Sequence, residues 1–487
     1  MKCIAALVTG QLFYAAMRLA YGYICQKPFN MQLQQVQHIF FIGVAGTGMS
    51  ALAQFLSGSG KSVSGSDRYF KQGEMNETRT KLEAAGIQCF EQDGSGISAH
   101  TQLVVVSTAV EDTVPEVQKA MQLNIPIIKR SALLALIAKE NKTIAVGGTS
   151  GKSTTTAMLF AIMQEAGYDP GIISGAGLVS LIQQGLIGNA WVGKSGWLVI
   201  EADESDGSIV QYEPYAGLLL NIDKDHQEID QLKEIFGVFQ QNTQQLFSVN
   251  RSHSLAAAFS VNPLYDFAVD ASKGAGFTAD NFQQEGLTIQ FTINGVPFSL
   301  QTVGKHNMEN ALAAAAMAAN IGIPLETASK ALSKYIGIYR RHQLLAEKNG
   351  VWVIDDYAHN PAKCAASIQA CQAIAPKVIA WFQPHGYGPT RFLRHDFVHE
   401  IAAVLRPQDQ IWMSEIFYAG GTAVKDISAG DLINDIQQLG KQAFFVPDRA
   451  DLLEAIRPHL SGPTVLLLMG ARDPSLEYFA QELASSL

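Results

Sequence analysis

Charge is scarce in this chain and tilted to one sign. Asp, Glu, Lys and Arg make up only 16% of 487 residues, and 35 Lys plus Arg stand against 44 Asp plus Glu, a net charge of −9. Neutralising a phosphate backbone needs a basic face, so generic nucleic-acid binding is excluded. Proline is sparse too, 17 residues against 42 glycines. That balance argues against a Pro-rich linker protein and suits many tight strand–helix turns. The five cysteines, Cys3, Cys25, Cys89, Cys364 and Cys371, are odd in number and form no C-x-x-C pair. They read as reduced thiols of a cytoplasmic protein, without a disulfide framework or a zinc site.

Long apolar runs are missing as well. The first 30 residues hold a short apolar stretch broken by Arg18, too short for a membrane span and without a small-residue cleavage pattern. We read residues 1–30 as a non-native extension and Met31 as the natural start, with a short membrane-associating helix as the alternative. No stable membrane insertion is expected. What the chain does have is 47% hydrophobic residues, enough for several cores. Its length predicts about three domains.

From Ile39 onward, short apolar runs alternate with helical stretches, the pattern of parallel α/β layers. Strands are expected at 39–43, 61–67, 103–107 and 125–129, with helices at 49–59, 80–85 and 116–123 between them. A second cycle has strands at 143–146, 197–200 and 217–221. It is followed by a β-rich patch at 287–303, where Asn294-Gly295 signals a hairpin turn, and by an Ala-rich helix at 310–320. A third cycle has strands at 351–354, 378–382, 410–413, 443–446 and 464–469. Linkers are expected near 131–141 and 337–342.

The strongest local signal is Val146-Gly-Gly-Thr-Ser-Gly-Lys-Ser-Thr-Thr156, after a strand and opening a helix. Glycines let the backbone wrap an anion, and the amides and dipole of a helix N-terminus favour it. Gly148, Thr149, Ser150, Gly151, Lys152, Ser153 and Thr154 are the candidate phosphate cradle, with Lys152 reaching the phosphates and Ser153 a Mg²⁺ ligand. Val146 stands where a strict phosphate loop has its first glycine. A Gly/Ser turn with a solvated lysine is the bland alternative, which the strand–loop–helix context disfavours.

Two further strand ends carry polar runs. Glu201-Ala-Asp-Glu-Ser-Asp206 offers Glu201, nearest the strand, as a Mg²⁺ ligand, against a solvated acidic loop. Asn221-Ile-Asp-Lys-Asp-His226 offers His226 as a metal ligand or a core histidine. Before the Ala-rich helix, Asn310 is placed to meet an adenine edge, or Asn307 simply to cap the helix. Tyr339-Arg-Arg341 is a basic pair for phosphates or for solvent, and Asp356 follows a strand, placed to hold a ribose or to start an Asn-Pro turn. The first cycle carries Gly43-Val-Ala-Gly-Thr-Gly48, then Asp67. That G-x-x-G-x-G spacing departs from the dinucleotide pattern, so a nucleotide diphosphate suits it better than NAD.

Taken together and in this order, these segments resemble the Mur ligase family, which builds the peptide stem of bacterial peptidoglycan. The resemblance rests on 43–50, 148–153, 201–206, Asp225-His226, His306-Asn307 with Asn310, Arg340-Arg341, Asp355-Asp-Tyr357 with His359, and Phe382-Gln-Pro-His385. It implies three domains: a Rossmann-like UDP-sugar domain over 31–138, a central P-loop-type ATPase domain with a parallel sheet over 139–342, and a Rossmann-like C-terminal domain over 343–487 closing on ATP and the acceptor. It implies an ATP-dependent ligase, monomeric or homodimeric, that joins the carboxylate of UDP-N-acetylmuramate to an amino-acid amine through an acyl phosphate. L-alanine is the first acceptor to expect; a murein tripeptide and a non-ligating nucleotide-binding regulator are the alternatives.

By the same resemblance, Lys152, Glu201 and His226 are catalytic, and Ser153, Glu201 and His226 hold Mg²⁺. Asn310, Arg341 and Asp356 touch ATP. Gly43, Gly46, Thr47, Gly48, Met49, Ser50, Asp67 and Ser107 form the UDP-sugar site, and Tyr357, His359, His385 and Arg391 the acceptor region. Two departures stand out. Ser150 occupies a usual histidine position. Gly386 and Pro389 stand where the family's alanine-adding members carry arginines that grip the acceptor carboxylate, leaving Arg391 or Arg394 to replace them.

Overall fold

The computed structural model describes residues 32–487, apart from 72, 109, 206, 224–227, 419 and 421–423. The expected start at Met31, Cys3, Cys25 and the proposed ligand His226 lie outside the described residues. Contacts divide the chain into two units, one ending at Asp266 and one running from Phe267 to Leu487.

The first unit holds two sheets. Strands β1 (His38–Ile42), β2 (Ser62–Ser66), β3 (Gln88–Phe90), β4 (Leu103–Val106) and β5 (Ile127–Lys129) lie in the order β3-β2-β1-β4-β5, every pair parallel. This is the doubly wound order, whose ligand crevice opens where the order reverses beside β1. Phe40, Phe41 and Ile42 are fully buried, because helices cover both faces of a parallel sheet. The second sheet contains β6 (Lys142–Gly147), β7 (Gly171–Ile173), β8 (Ala190–Trp191), β9 (Trp197–Ala202), β10 (Ala216–Leu219) and β11 (Leu246–Val249), ordered β11-β10-β6-β9-β7-β8. Only the β7–β8 pair is antiparallel. Leu52 and Phe55 of the helix Thr47–Gly58 share one core with Ile173, Leu198 and Ile200 of the second sheet. Asn189 ties them further: its Nδ2 donates to the Thr47 carbonyl at 2.8 Å and to Ser50 Oγ at 2.9 Å.

The second unit opens with a small sheet, β12 (Phe267–Ala268), β13 (Phe277–Glu285), β14 (Thr288–Ile293) and β15 (Val296–Gln301). The expected hairpin joins β14 to β15 through Asn294 at φ 46° and Gly295 at φ 83°. Two consecutive left-handed residues are what a two-residue hairpin turn requires, and Asn-Gly is the pair that tolerates them. The last sheet has β16 (Gln343–Lys348), β17 (Val351–Asp356), β18 (Lys377–Gln383), β19 (Gln410–Met413), β20 (Ala443–Phe445) and β21 (Thr464–Gly470). Its order is β16-β17-β21-β18-β19-β20. All neighbours are parallel except the polar edge strand β16, which falls between the expected linker at 337–342 and the expected strand at 351–354 and was assigned to neither.

The α/β class with three largely parallel sheets is as the sequence implied. Among the described residues, Cys89, Cys364 and Cys371 are buried free thiols, and no helix is long and apolar enough to cross a membrane.

Candidate active site

In the second sheet β6 lies between β10 and β9, so the loops leaving these three strands meet at one edge. Val146 is a buried strand residue, and the loop proper begins at Gly148. Gly148 has φ 140°, and an added Cβ would stand 3.0 Å from Leu220 Cβ and 3.2 Å from the Asn221 amide. Gly151, at φ 83°, is the N-cap of the helix Lys152–Glu165. Only glycine meets both demands without strain. The loop is braced from β10: Asn221 Oδ1 accepts from Thr149 Oγ1 and from the Ser150 amide, each at 2.9 Å. Asn221 Nδ2 returns a bond to the Ser150 carbonyl at 3.1 Å.

Lys152 Nζ donates to Glu204 Oε2 and to the Gly148 carbonyl, both at 2.7 Å. Burial pushes the Glu204 carboxyl up, and the charge of Lys152 opposes that shift. Asp203 is also raised by burial, but Lys152, the Ser205 amide and Arg130 outweigh it and the net shift is downward. Ser153 Oγ donates to Glu201 Oε2 at 2.8 Å. The other oxygen of Glu201 accepts from Ser174 Oγ at 2.8 Å and from the Gly175 amide at 2.7 Å.

Thus Lys152, Ser153 and Glu201 are brought together as expected. The sequence reading missed Glu204, Asn221 and Ser174. Glu204 sat in view inside an acidic run, where nothing marks which carboxylate turns toward the lysine. Ser153 Oγ and Glu201 Oε2 form a pair of hard oxygen donors, the chemistry Mg²⁺ accepts. Among the described residues no cluster of three or more His, Cys, Asp or Glu forms a metal site.

At the first sheet's switch point, Gly43 has φ 79° and begins the turn into the helix Thr47–Gly58. Asp67, at the end of β2, uses one carboxylate oxygen on the Ala45 amide (3.0 Å) and the other on the Tyr69 amide (3.1 Å). It holds the turn in shape. Gly46 ends that turn as the helix N-cap, and Gly48 lies inside the helix, where an added Cβ would approach Arg130 Nη1 to 2.9 Å. Met49 and Ser50 are buried. Ser107 follows β4.

In the second unit, Asp356 is buried among His342, Ser367 and the Ala358 amide. His342 Nδ1 lies 2.9 Å from its Oδ2, and the Ala358 amide donates to its Oδ1 at 2.8 Å. Burial raises Asp356, but the charge and hydrogen bond of His342, the Arg341 charge and the Ala358 amide together outweigh it and the carboxyl falls to about 2. Arg340, adjacent to the expected Arg341, is buried in a two-bond ion pair with Asp355 at 2.8 and 3.2 Å. Arg341 is exposed, 5.3 Å from the Tyr357 ring centre. The helix at Asn310 begins at Lys305, capped by Gly304 rather than by a side chain. Asn307 instead binds back to Thr302 Oγ1 and the Val303 carbonyl, both at 2.8 Å, and Asn310 Nδ2 lies 3.3 Å from Asn307 Oδ1.

Tyr357, His359 and His385 do meet. Their ring centres are 5.6 Å apart for Tyr357–His359 and 5.9 Å for His359–His385. Arg391 stands apart from them, bonded to Asp426 and the Val424 carbonyl, and Arg394 grips Asp435 with bonds of 2.7 and 3.0 Å.

Three family profiles match this chain: "Mur ligase family, catalytic domain" over 38–142, "Mur ligase middle domain" over 146–318, and "Mur ligase, glutamate ligase domain" over 340–472. The chain belongs to the Mur ligase family. Among its relatives, the UDP-N-acetylmuramate–L-alanine ligase of Carboxydothermus hydrogenoformans is 33% identical over 90% of this chain and 95% of its own. That of Acidithiobacillus ferrooxidans is 32% identical over 90% and 95%. The solved Thermotoga maritima UDP-N-acetylmuramate–alanine ligase superposes with a TM-score of 0.74 at 26% identity, covering 92% of this chain and 98% of that one. A murein peptide ligase from Psychrobacter arcticus shares the fold, with a TM-score of 0.63 at 22% identity over 92% and 98%.

Acid should destabilise this Mur ligase. Burial holds His306 and His385 at about 4, aided by the charge of His342 for the first and of His359 and Arg472 for the second. Unfolded, each takes a proton near 6.5. Between those values the unfolded chain binds more protons, so their stabilisation is complete above pH 6.5 and is lost as pH falls toward 4. Asp356 extends the loss below its unfolded value, down to about 2. His342, raised by Asp356, works oppositely, favouring the fold below 6.5 and losing effect as pH rises through its folded pKa. The expected result is a melting temperature that falls steadily from pH 6.5 to 4, with a flatter profile in a His306→Gln, His385→Gln double variant. A profile unchanged in that variant would remove both histidines from the account.

Proposed function

We propose that this chain is a cytoplasmic UDP-N-acetylmuramate–amino-acid ligase driven by ATP, with L-alanine as the acceptor. The observation that carries the reading is the convergence of Lys152, Ser153 and Glu201 at the ends of β6 and β9, in a chain aligned nearly end to end with ligases of that name. A carboxylate oxygen of the sugar's lactyl group attacks the γ-phosphorus of ATP, the bond to ADP breaks, and an acyl phosphate forms. The amine of the amino acid then attacks the acyl carbon, and phosphate leaves as the amide bond closes.

The loop amides of 148–152 cradle phosphate oxygens at the helix N-terminus. Lys152 holds a fixed positive charge where negative charge accumulates on the transferring phosphoryl group, and Glu204 orients it. Ser153 and Glu201 would hold Mg²⁺, which supplies charge neutralisation for the phosphates when bound. Ser174 and Gly175 fix the Glu201 carboxylate for that role. The Gly43–Gly46 turn, shaped by Asp67, and the helix N-terminus that follows it suit the diphosphate of the UDP-sugar.

The acceptor is tested by a panel of L-alanine, L-serine, glycine and a murein tripeptide with ATP and UDP-N-acetylmuramate. Phosphate release should need sugar and acceptor together, and L-alanine should give the highest kcat/KM. Preference for the tripeptide would make this a recycling ligase. Tight UDP-sugar binding without phosphate release would make it a regulator.

A further inference from the structure

Strands β17, β21 and β18 lie side by side and parallel in the second unit, with Asp356 paired to Met469 and Gln383 to Gly470. Residues just beyond them therefore share one edge, where open α/β sheets take their ligands. Tyr357 and His359 follow β17. His385 lies two residues beyond Gln383, and Arg472 two residues beyond Gly470. These side chains come from three adjacent strand ends.

Arg472 sits at the centre of a three-residue turn, in which the Asp473 amide donates to the Ala471 carbonyl at 2.5 Å. Its φ is 56°, a left-handed value that glycine adopts freely and arginine only under constraint. The constraint is visible on both flanks. The Gly470 carbonyl accepts from Arg340 Nη2 at 2.9 Å. Asp473 is gripped by Arg449, which also donates to Gln383 Oε1 at 3.1 Å. The backbone is pinned while the side chain is exposed.

Among the described residues, no hydrogen bond or ion pair reaches the Arg472 guanidinium. Arg391 and Arg394 are already committed to Asp426 and Asp435. Arg472 is also the cation whose charge acts on both His359 and His385, and it opposes protonation of each. The edge thus presents the Arg472 guanidinium, bonded to no described residue, just beyond the strand between those that lead to His359 and His385, while the exposed Arg341 lies over the Tyr357 ring; burial lowers both imidazoles. A single carboxylate, with two oxygens for one planar fork, matches that arrangement.

We infer that Arg472 receives the α-carboxylate of the incoming amino acid at the edge formed by Tyr357, His359 and His385, and so sets acceptor specificity. This rests on the ligase reading above. It accounts for a strained arginine where glycine would be relaxed, and for acceptor recognition in a chain with Gly386 as the cap of the following helix and Pro389 within it.

The test is steady-state kinetics on the full chain as wild type, Arg472→Gly and Arg472→Lys. The glycine variant should raise KM for L-alanine by about 30–100-fold. KM for ATP and for UDP-N-acetylmuramate should stay within about twofold, and lysine should recover part of the loss. Wild type should discriminate strongly against L-alaninamide, and Arg472→Gly should not. Because glycine suits this backbone, the variant should melt no lower than wild type, which separates lost recognition from lost folding. Wild-type turnover with an unchanged amino-acid KM in Arg472→Gly would overturn the role of Arg472 alone, as would a rise confined to KM for ATP. Absence of any amino-acid-dependent phosphate release by wild type would overturn the ligase reading itself, and this inference with it.

Discussion

Lys152→Ala should lower kcat by about 10²–10³-fold while leaving UDP-sugar binding nearly unchanged. A fixed donor aimed at developing charge is worth about 3–4 kcal/mol in a site of this type, and Lys152 is the positive group at the loop, bonded to Gly148 and Glu204. The Gly43–Gly46 turn lies at the end of a different sheet, so sugar binding has its own scaffold. The loss has a second component. The Glu204 side chain is only 4% exposed, and without Lys152 it is left buried and takes up a proton. A Lys152→Ala, Glu204→Gln double variant should therefore regain thermal stability but no activity. Steady-state phosphate release and thermal melting of the three proteins check this. A kcat within tenfold of wild type in Lys152→Ala would remove the lysine from the phosphoryl-transfer step.

Arg340→Met should destabilise the second unit by about 3–5 kcal/mol, the usual cost of leaving one partner of a buried ion pair alone. Asp355 is 3% exposed and Arg340 is 8% exposed, so water does little to replace the lost bonds. Arg340 also holds the Gly470 carbonyl at 2.9 Å, which fixes the end of β21 against β17. The effect should therefore appear in acceptor kinetics as well as in denaturant unfolding. Replacing both partners, Arg340→Met with Asp355→Leu, should restore most of the stability, because no charge is then stranded. A single variant within about 1 kcal/mol of wild type would show that the pair is dispensable.

The arginine pair also shows where the sequence stops being legible. Arg340 and Arg341 are adjacent and chemically identical, and the sequence reading chose Arg341. What separates them is the backbone: Arg340 adopts φ 54°, which turns it inward to Asp355 and leaves its neighbour outside. No composition or period encodes that. Strands behaved differently. Apolar runs such as 351–354 and 464–469 were readable because a strand covered on both faces has no polar side to blur it. Strand β16 was missed because it is an edge strand of mixed composition, Gln343-Leu-Leu-Ala-Glu-Lys348. The Ala-rich helix was started late, at 310 rather than Lys305, because its cap is a left-handed glycine and not a polar side chain.

The site divides along the same line. Lys152, Ser153 and Glu201 were legible as neighbours because phosphate chemistry fixes their spacing from a strand end. Glu204, Asn221 and Ser174 only hold other groups in place, which allows many residue types at many spacings. The expected substitutes Arg391 and Arg394 were chosen by nearness in sequence to His385. The structure commits both elsewhere and brings Arg472 to that edge from 87 residues further along the chain.

In this mechanism the sugar's carboxylate is activated as an acyl phosphate. The most direct measurement is isotope transfer. UDP-N-acetylmuramate labelled with ¹⁸O in its lactyl carboxylate is turned over with ATP and L-alanine, and the released phosphate is examined by mass. One carboxylate oxygen should leave with each phosphate, because the carbon–oxygen bond to the phosphorylated oxygen is the one the amine displaces. Phosphate released without label would contradict the account.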